Sequence, residues 1–257
     1  MSRSASFLAF SCVHTPFQDN EAIEWLVGQI SKRKPDVIVH LGDGHDAAAA
    51  SRFNDETLHT LLDEFDQHNE ILAMIRKASP KSRRIFLPGN HDWNITAPAR
   101  LDKRIRDICD YRRHEPELEH WDHKVKYVYD RINGCFRLGQ VVFAHGYEAG
   151  TNAGEFESIY FANEYGLYVH GHTHRPTPEG NAIRAERTKN RPLRYWYANA
   201  GCMRDLKPNY MTKKRTENWG QAIVVGNAKL TKSPRHKRCW DAETIWFRSY
   251  EDWSSRA

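Results

Sequence analysis

The sequence predicts an α/β protein whose strands deliver polar ends to one rim. Three observations carry this. Apolar runs of strand length alternate with helix-period stretches from residue 7 to residue 87, the pattern of right-handed crossovers and a parallel sheet. Five apolar runs stop abruptly at His, Asp or Asn. The chain has 257 residues, 40% of them hydrophobic, enough to bury a sizeable core as one domain.

The first strand is read at residues 7–13. Asp19 or Asn20 caps a helix running to about Arg33, with Ile23, Leu26, Val27 and Ile30 on one face. Pro35 stops it, and Val37 to Leu41 form the second strand. An amphipathic helix is expected from about Glu56 to Lys77, with Leu58, Leu61, Leu62, Phe65, Leu72 and Ile75 inward. The run Ile85-Phe86-Leu87-Pro88 is the third strand. Residues 97–124 read as a charged helical insertion, with Pro98 in its first turn and Leu101, Ile105 and Ile108 as a narrow stripe. Residues 125–144 alternate as antiparallel strands turning near Gly139, and 154–165 suggest a short helix. The Pro- and Arg-rich stretch 175–192 reads as a loop. Strands return at Tyr195 to Ala198, Gln221 to Val225 and Thr244 to Phe247, within a basic C-terminal segment of about 203–257.

Composition narrows the classes. The net charge of +5 and pI of about 8.9 suit an anionic substrate but do not by themselves argue for nucleic acid. The five cysteines, Cys12, Cys109, Cys135, Cys202 and Cys239, are odd in number and irregularly spaced. No disulfide framework is expected, and a reducing cytosol is favoured. No apolar run reaches the roughly eighteen residues of a membrane span, and the first residues do not read as a signal peptide.

The chemistry lies in the strand ends. Gly89-Asn90-His91-Asp92 sets an amide oxygen beside an imidazole. The others are Cys12-Val13-His14, Gly42-Asp43-Gly44-His45-Asp46, His145-Gly146 and Gly171-His172-Thr173-His174. In open α/β sheets ligands collect at the carboxyl ends of strands, and so many donors of this kind predict a metal site, with enough of them for two ions. These blocks, in this order, resemble the calcineurin-like metallophosphoesterase family. Asn199-Ala200-Gly201-Cys202 resembles the turn that often follows its last His block. The resemblance covers roughly residues 7–202 and departs at Cys12, where the family usually has Asp; RNA lariat-debranching enzymes of the same superfamily resemble this chain there.

The resemblance implies a sandwich of two mixed β-sheets flanked by helices, with the metal site at the strand C-terminal rim. It implies that Cys12, His14, Asp43 and His174 hold one ion, and Asp43, Asn90, His145 and His172 the other. Asp43 would bridge with its two oxygens, His91 would protonate the leaving group, and Asp46 would orient His91. A hydroxide shared between two divalent ions (Fe, Zn or Mn) would attack the phosphate ester. Cys12 is a thiolate ligand favouring Fe or Zn over Mg, or a small buried residue at a strand end. His45 is placed near the substrate phosphate and Arg175 as a phosphate contact; Trp93 reads first as core or rim packing and second as a stacking surface for a base, and the basic run near Arg235 to Arg238 as a backbone-tracking segment or a solvated tail. His40 and His170 read as buried. The expected activity is phosphodiester hydrolysis on DNA, RNA or nucleotides. The alternatives are a phosphomonoesterase on a small substrate and a non-catalytic scaffold; the presence of His91 argues against the last.

Overall fold

The computed structural model describes residues 4–47, 59–96, 109–123, 129–130, 134–150, 152–161, 165–186, 194–208, 216–230, 237–249 and 251–252. Two mixed sheets face each other. The first contains β1 (Ser4–Phe10), β2 (Val37–His40), β3 (Arg83–Phe86), β7 (Gly180–Asn181), β10 (Gly220–Lys229) and β11 (Trp240–Ser249), in the order β3-β2-β1-β10-β11-β7. The second contains β4 (Cys135–Leu138), β5 (Val141–Ala144), β6 (Leu167–His170), β8 (Ile183–Glu186) and β9 (Arg194–Asn199), in the order β4-β5-β6-β9-β8. β1, β2 and β3 run parallel, and so do β5, β6 and β9. Each sheet therefore brings a set of strand ends to the same side.

The period-two pattern of the strands decides which core each residue enters. Phe7, Ala9, Val37 and Val39 join Phe143, Leu167 and Val169 in the core between the sheets. The alternate residues Leu8, Phe10 and Ile38 pack on the other side against Leu26 and Ile30 of α1 (Asn20–Arg33) and Phe65 and Leu72 of α2 (Leu61–Ala78). Because β1 and β2 are buried on both faces, they read as continuous apolar runs rather than as alternating ones. A short helix, α3 (Asn90–Thr96), follows β3, and α4 (Ala153–Phe161) packs against β6 and β9 of the second sheet.

The helix ends follow their sequence signals. The Asp19 side chain accepts from the N–H groups of Glu21 and Ala22, as its place before α1 predicts. Thr60 and Asp63 form a capping box that starts α2 at Leu61. The expected earlier start at Glu56 falls partly outside the described residues. Two expectations need correction. In the described part of the insertion, Cys109 is α-helical but residues 110–123 are not: they make 3-10 turns at Tyr111–Arg113 and Pro116–His120. Pro116 supplies no N–H and, as the first residue of the second turn, starts it afresh instead of continuing the first. Leu101, Ile105, Ile108, Val125 and Tyr127 lie outside the described residues. The stretch 175–192, expected as a loop, contributes β7 and β8, because pairing with β11 and β9 overrides its weak local propensity.

Candidate metal centre

The rim is built from loops that lock together. After β1, the N–H groups of Cys12, His14 and Thr15 donate to the carbonyls of Gly42, Asp43 and Gly44, so the first two blocks run side by side. Gly89 allows the third to close on them: a Cβ there would lie 2.1 Å from Asp43 Oδ1. Gly171 does the same between sheets, since a Cβ there would lie 1.9 Å from Ser11 Oγ. Cys12, His14, Asp43, His172 and His174 all have positive φ, between 53° and 64°, a region few non-glycine residues adopt. That backbone turns each donor away from its strand direction.

The donors meet in two overlapping groups. In one, His14 Nε2 lies 3.1 Å from His174 Nε2 and 3.7 Å from Asp43 Oδ2, and a donor atom of Cys12 lies within 4.8 Å of those of His14 and His174. In the other, His145 Nε2 lies 3.1 Å from Asp43 Oδ2, 3.2 Å from Asn90 Oδ1 and 3.2 Å from His172 Nδ1. Asp43 belongs to both. Its Oδ2 faces His14 and His145, while Oδ1 accepts the His91 N–H at 2.9 Å.

His145 tests whether a cation fits. Its Nδ1–H donates to the Leu41 carbonyl at 2.9 Å, which leaves Nε2 facing the rim. Nε2 points at a carboxylate oxygen and an amide oxygen; burial lowers the pKa of this imidazole, but Asp43 outweighs burial and raises it. The two oxygens thus favour positive charge at Nε2, a place where a metal ion can exchange for a proton. Two donors on one ion at 2.0–2.1 Å stand about 2.9–3.4 Å apart, which matches the contacts of 3.1–3.2 Å. His14 is held in the same way: its Nδ1 pairs with Asp46 Oδ1 at 2.9 Å, leaving Nε2 to face His174.

Charge states agree with this. Burial pushes His14 down to about 4 and His172 to about 3, and takes His174 well below its usual value, so all three imidazoles are neutral at pH 7. Burial pushes the Asp43 carboxyl up, but the His145 and His91 imidazoles outweigh it and hold the group well below its normal range. Burial, then the Asp43 charge, push the Cys12 thiol well up, against the Ser11 hydroxyl, which lies 3.0 Å from the sulfur and pulls it down. Cys12 therefore ligates only when a cation draws off its proton.

Two of the second-row expectations change. The Asp46 carboxylate does not orient His91. It pairs with His14 Nδ1 and with Arg204 Nη1 at 3.3 Å, while its backbone carbonyl accepts from His91 Nδ1. Sequence spacing cannot say which of two neighbouring imidazoles a carboxylate meets. His45 does not reach a substrate: it is fully buried between Asp92 and Glu115. His40 and His170 are buried, as expected. Trp93 and Arg175 are partly exposed.

Several contributors were not legible. Arg204 is buried behind Asp46, with its guanidinium near the Phe17 and Trp219 rings. Its signal, a cation just past the Asn199 turn, is weak. Tyr129 lies edge-on to His145 and stacks on Tyr147, whose ring is 5.2 Å away and 16° from parallel. Glu115 and His68 carry no motif at all.

A family model described as calcineurin-like phosphoesterase matches residues 5–176. No curated protein matches the chain. Among solved structures, the chain is similar to Yfce, a phosphoesterase from E. coli, at 13% identity and a TM-score of 0.42, covering 95% of this chain and 100% of that one. It is similar to Vacuolar Protein Sorting 29 from Cryptosporidium parvum at 11% identity and 0.43, covering 96% and 99%. For Vps29 of Chaetomium thermophilum the values are 10% and 0.39, covering 95% and 98%. No helix among the described residues is long and apolar enough to cross a membrane.

Proposed function

Because the chain belongs to the calcineurin-like phosphoesterase family, we propose that it is a phosphodiesterase using two divalent ions, with nucleic acid or nucleotides as its substrate class. The observation that carries this is the convergence of His145 Nε2 with the Asp43 and Asn90 side-chain oxygens. Cys12, His14, Asp43 and His174 would hold one ion, and Asp43, Asn90, His145 and His172 the other. Bound there, two ions neutralise phosphoryl charge and acidify a water at neutral pH.

The protein's own groups do the rest. His91 Nδ1 is tied to the Asp46 carbonyl, so its Nε2 is the nitrogen available to protonate a leaving alkoxide. Asp46, backed by Arg204, keeps His14 in the tautomer that ligates. The mild excess of positive charge suits a polyanion. The stacked Tyr129 and Tyr147 beside His145, with Tyr147 47% exposed, offer a surface for a planar base. Cys12 favours Fe or Zn over Mg.

The test compares hydrolysis of bis-p-nitrophenyl phosphate and p-nitrophenyl phosphate by protein reconstituted without oxygen with Fe(II), Zn, Mn or Mg. Diester turnover with Fe or Zn and little with Mg is expected. Preference for the monoester would redirect the reading to small phosphates. Tight metal binding without any turnover would favour a non-catalytic binding role.

A further inference from the structure

Beneath the metal centre lies a buried polar chain that no step above uses. Gly42 N–H donates to His40 Nδ1 at 3.0 Å. That puts the proton of neutral His40 on Nε2, facing His68 Nε2 at 3.4 Å. His68 then donates from Nδ1 to Glu115 Oε2 at 2.7 Å. The other Glu115 oxygen accepts from His45 Nε2, and His45 Nδ1–H donates to Asp92 Oδ1 at 2.8 Å. With a carboxylate on each nitrogen, His45 carries both protons.

Asp92 is where this chain reaches the rim. Its Oδ2 accepts the N–H groups of Asp43 at 2.7 Å and Gly89 at 2.8 Å. Its Oδ1 accepts those of Gly44 at 3.0 Å and His45 at 3.2 Å. One carboxylate thus fixes the backbone of both loops that present Asp43, Asn90 and His91. Donor atoms of His45, His68 and Glu115 also lie within 4.8 Å of one another, a spacing that could suggest a third metal. The hydrogen bonds decide against it: every nitrogen and oxygen of the three already has a partner, so no set of lone pairs converges there.

We propose that Glu115, supplied by the segment between α3 and β4, acts through His45 and Asp92 as a positioning residue for the metal loops. This rests on the reading that those loops hold the ions. The insertion is then part of the metal centre's support. Glu115 hydrogen-bonds both imidazoles, one of its oxygens accepting from His45 and the other from His68.

The experiment is calorimetric titration of the full chain with Zn(II), which needs no turnover. Glu115→Ala is expected to lower Zn(II) affinity by roughly 10- to 100-fold, the usual weight of a group that orients ligands from behind. Glu115→Asp, too short to reach both imidazoles, is expected to fall between the two and keeps the test usable if the Ala variant does not fold. The control is Glu117→Ala, two residues along the same segment. Glu117 holds the insertion through Arg76 at 2.7 and 2.8 Å without touching the chain, so Zn(II) binding should stay at the wild-type level. The inference fails if Glu115→Asp binds Zn(II) like wild type, or if Glu117→Ala loses as much as Glu115→Ala. Absence of Zn(II) binding by the wild type would overturn both this inference and the metal reading. Absence of turnover with the relay effect intact would remove only the proposed activity.

Discussion

Asp92→Asn replaces one oxygen by an NH₂ of nearly the same size, so it opens no cavity and isolates the hydrogen bonding. The carboxylate accepts two backbone N–H groups on each oxygen, and the His45 ring on Oδ1 as well. If the amide oxygen faces Gly44 and His45, the NH₂ confronts the Asp43 and Gly89 donors. If it is flipped, the NH₂ can serve a neutral His45 ring but confronts the Gly44 and His45 backbone donors. Either way two buried N–H groups lose their acceptor. At about 1–3 kcal/mol each, the loss is about 2–6 kcal/mol, a large fraction of the roughly 5–15 kcal/mol that holds a typical domain folded. The assay is urea unfolding of the metal-free protein in EDTA, which removes stabilisation by bound ions. A loss below about 1 kcal/mol, less than one such donor is worth, would refute the reasoning.

Three further outcomes are expected. His91→Asn should keep both ions yet lower turnover about 10²- to 10⁴-fold, with a smaller loss for a very acidic leaving group; an equal loss for acidic and basic leaving groups would remove His91 as the acid. Cys12→Ser should weaken one ion in a calorimetric titration and leave the other, and full retention of both would show that Cys12 is not a ligand. Burial holds His14 at about 4 and His170 and His172 at about 3 in the fold, against 6.5 when exposed. The unfolded chain therefore binds more protons in that window, and the metal-free protein should lose stability as pH falls from about 6.5 towards 3. His45 works in the opposite direction. Burial lowers it, but Glu115 and Asp92 outweigh burial and raise it to about 10, so its contribution is complete below about 6.5 and lost as pH rises through 10. Thermal unfolding across pH in EDTA reads both, and a flat profile between pH 7 and pH 4 would contradict the acid limb.

The fold and the donors at the rim were legible because buried parallel strands read as apolar runs, and a polar residue at the end of such a run stands out. Cys12, His14, Asp43, Asn90, His145, His172 and His174 all stand out in that way, and the structure brings them together. What supports them was not legible. Asp46 follows Asp43 by three residues, but whether it meets His14 or His91 depends on positive-φ turns that sequence spacing does not encode. His45 sits inside a motif and points away from the site. Its partner Glu115 is 70 residues distant, and only the packing of the 3-10 turns on α2 brings the two together. β7 and β8 were missed for a related reason, since their stability comes from partners rather than from their own Pro- and Arg-rich sequence.

The left-handed backbone at Cys12, His14, Asp43, His172 and His174 sets the fold and its chemistry at odds. A non-glycine residue held in such a region is disfavoured by about 1–3 kcal/mol, so these five positions together are a burden on the empty protein. Glycine or asparagine would sit there with less conflict. Such a substitution would relieve backbone strain and remove a donor in the same step, so at these turns the conformation that is easiest to hold and the side chain that can bind a cation are different choices.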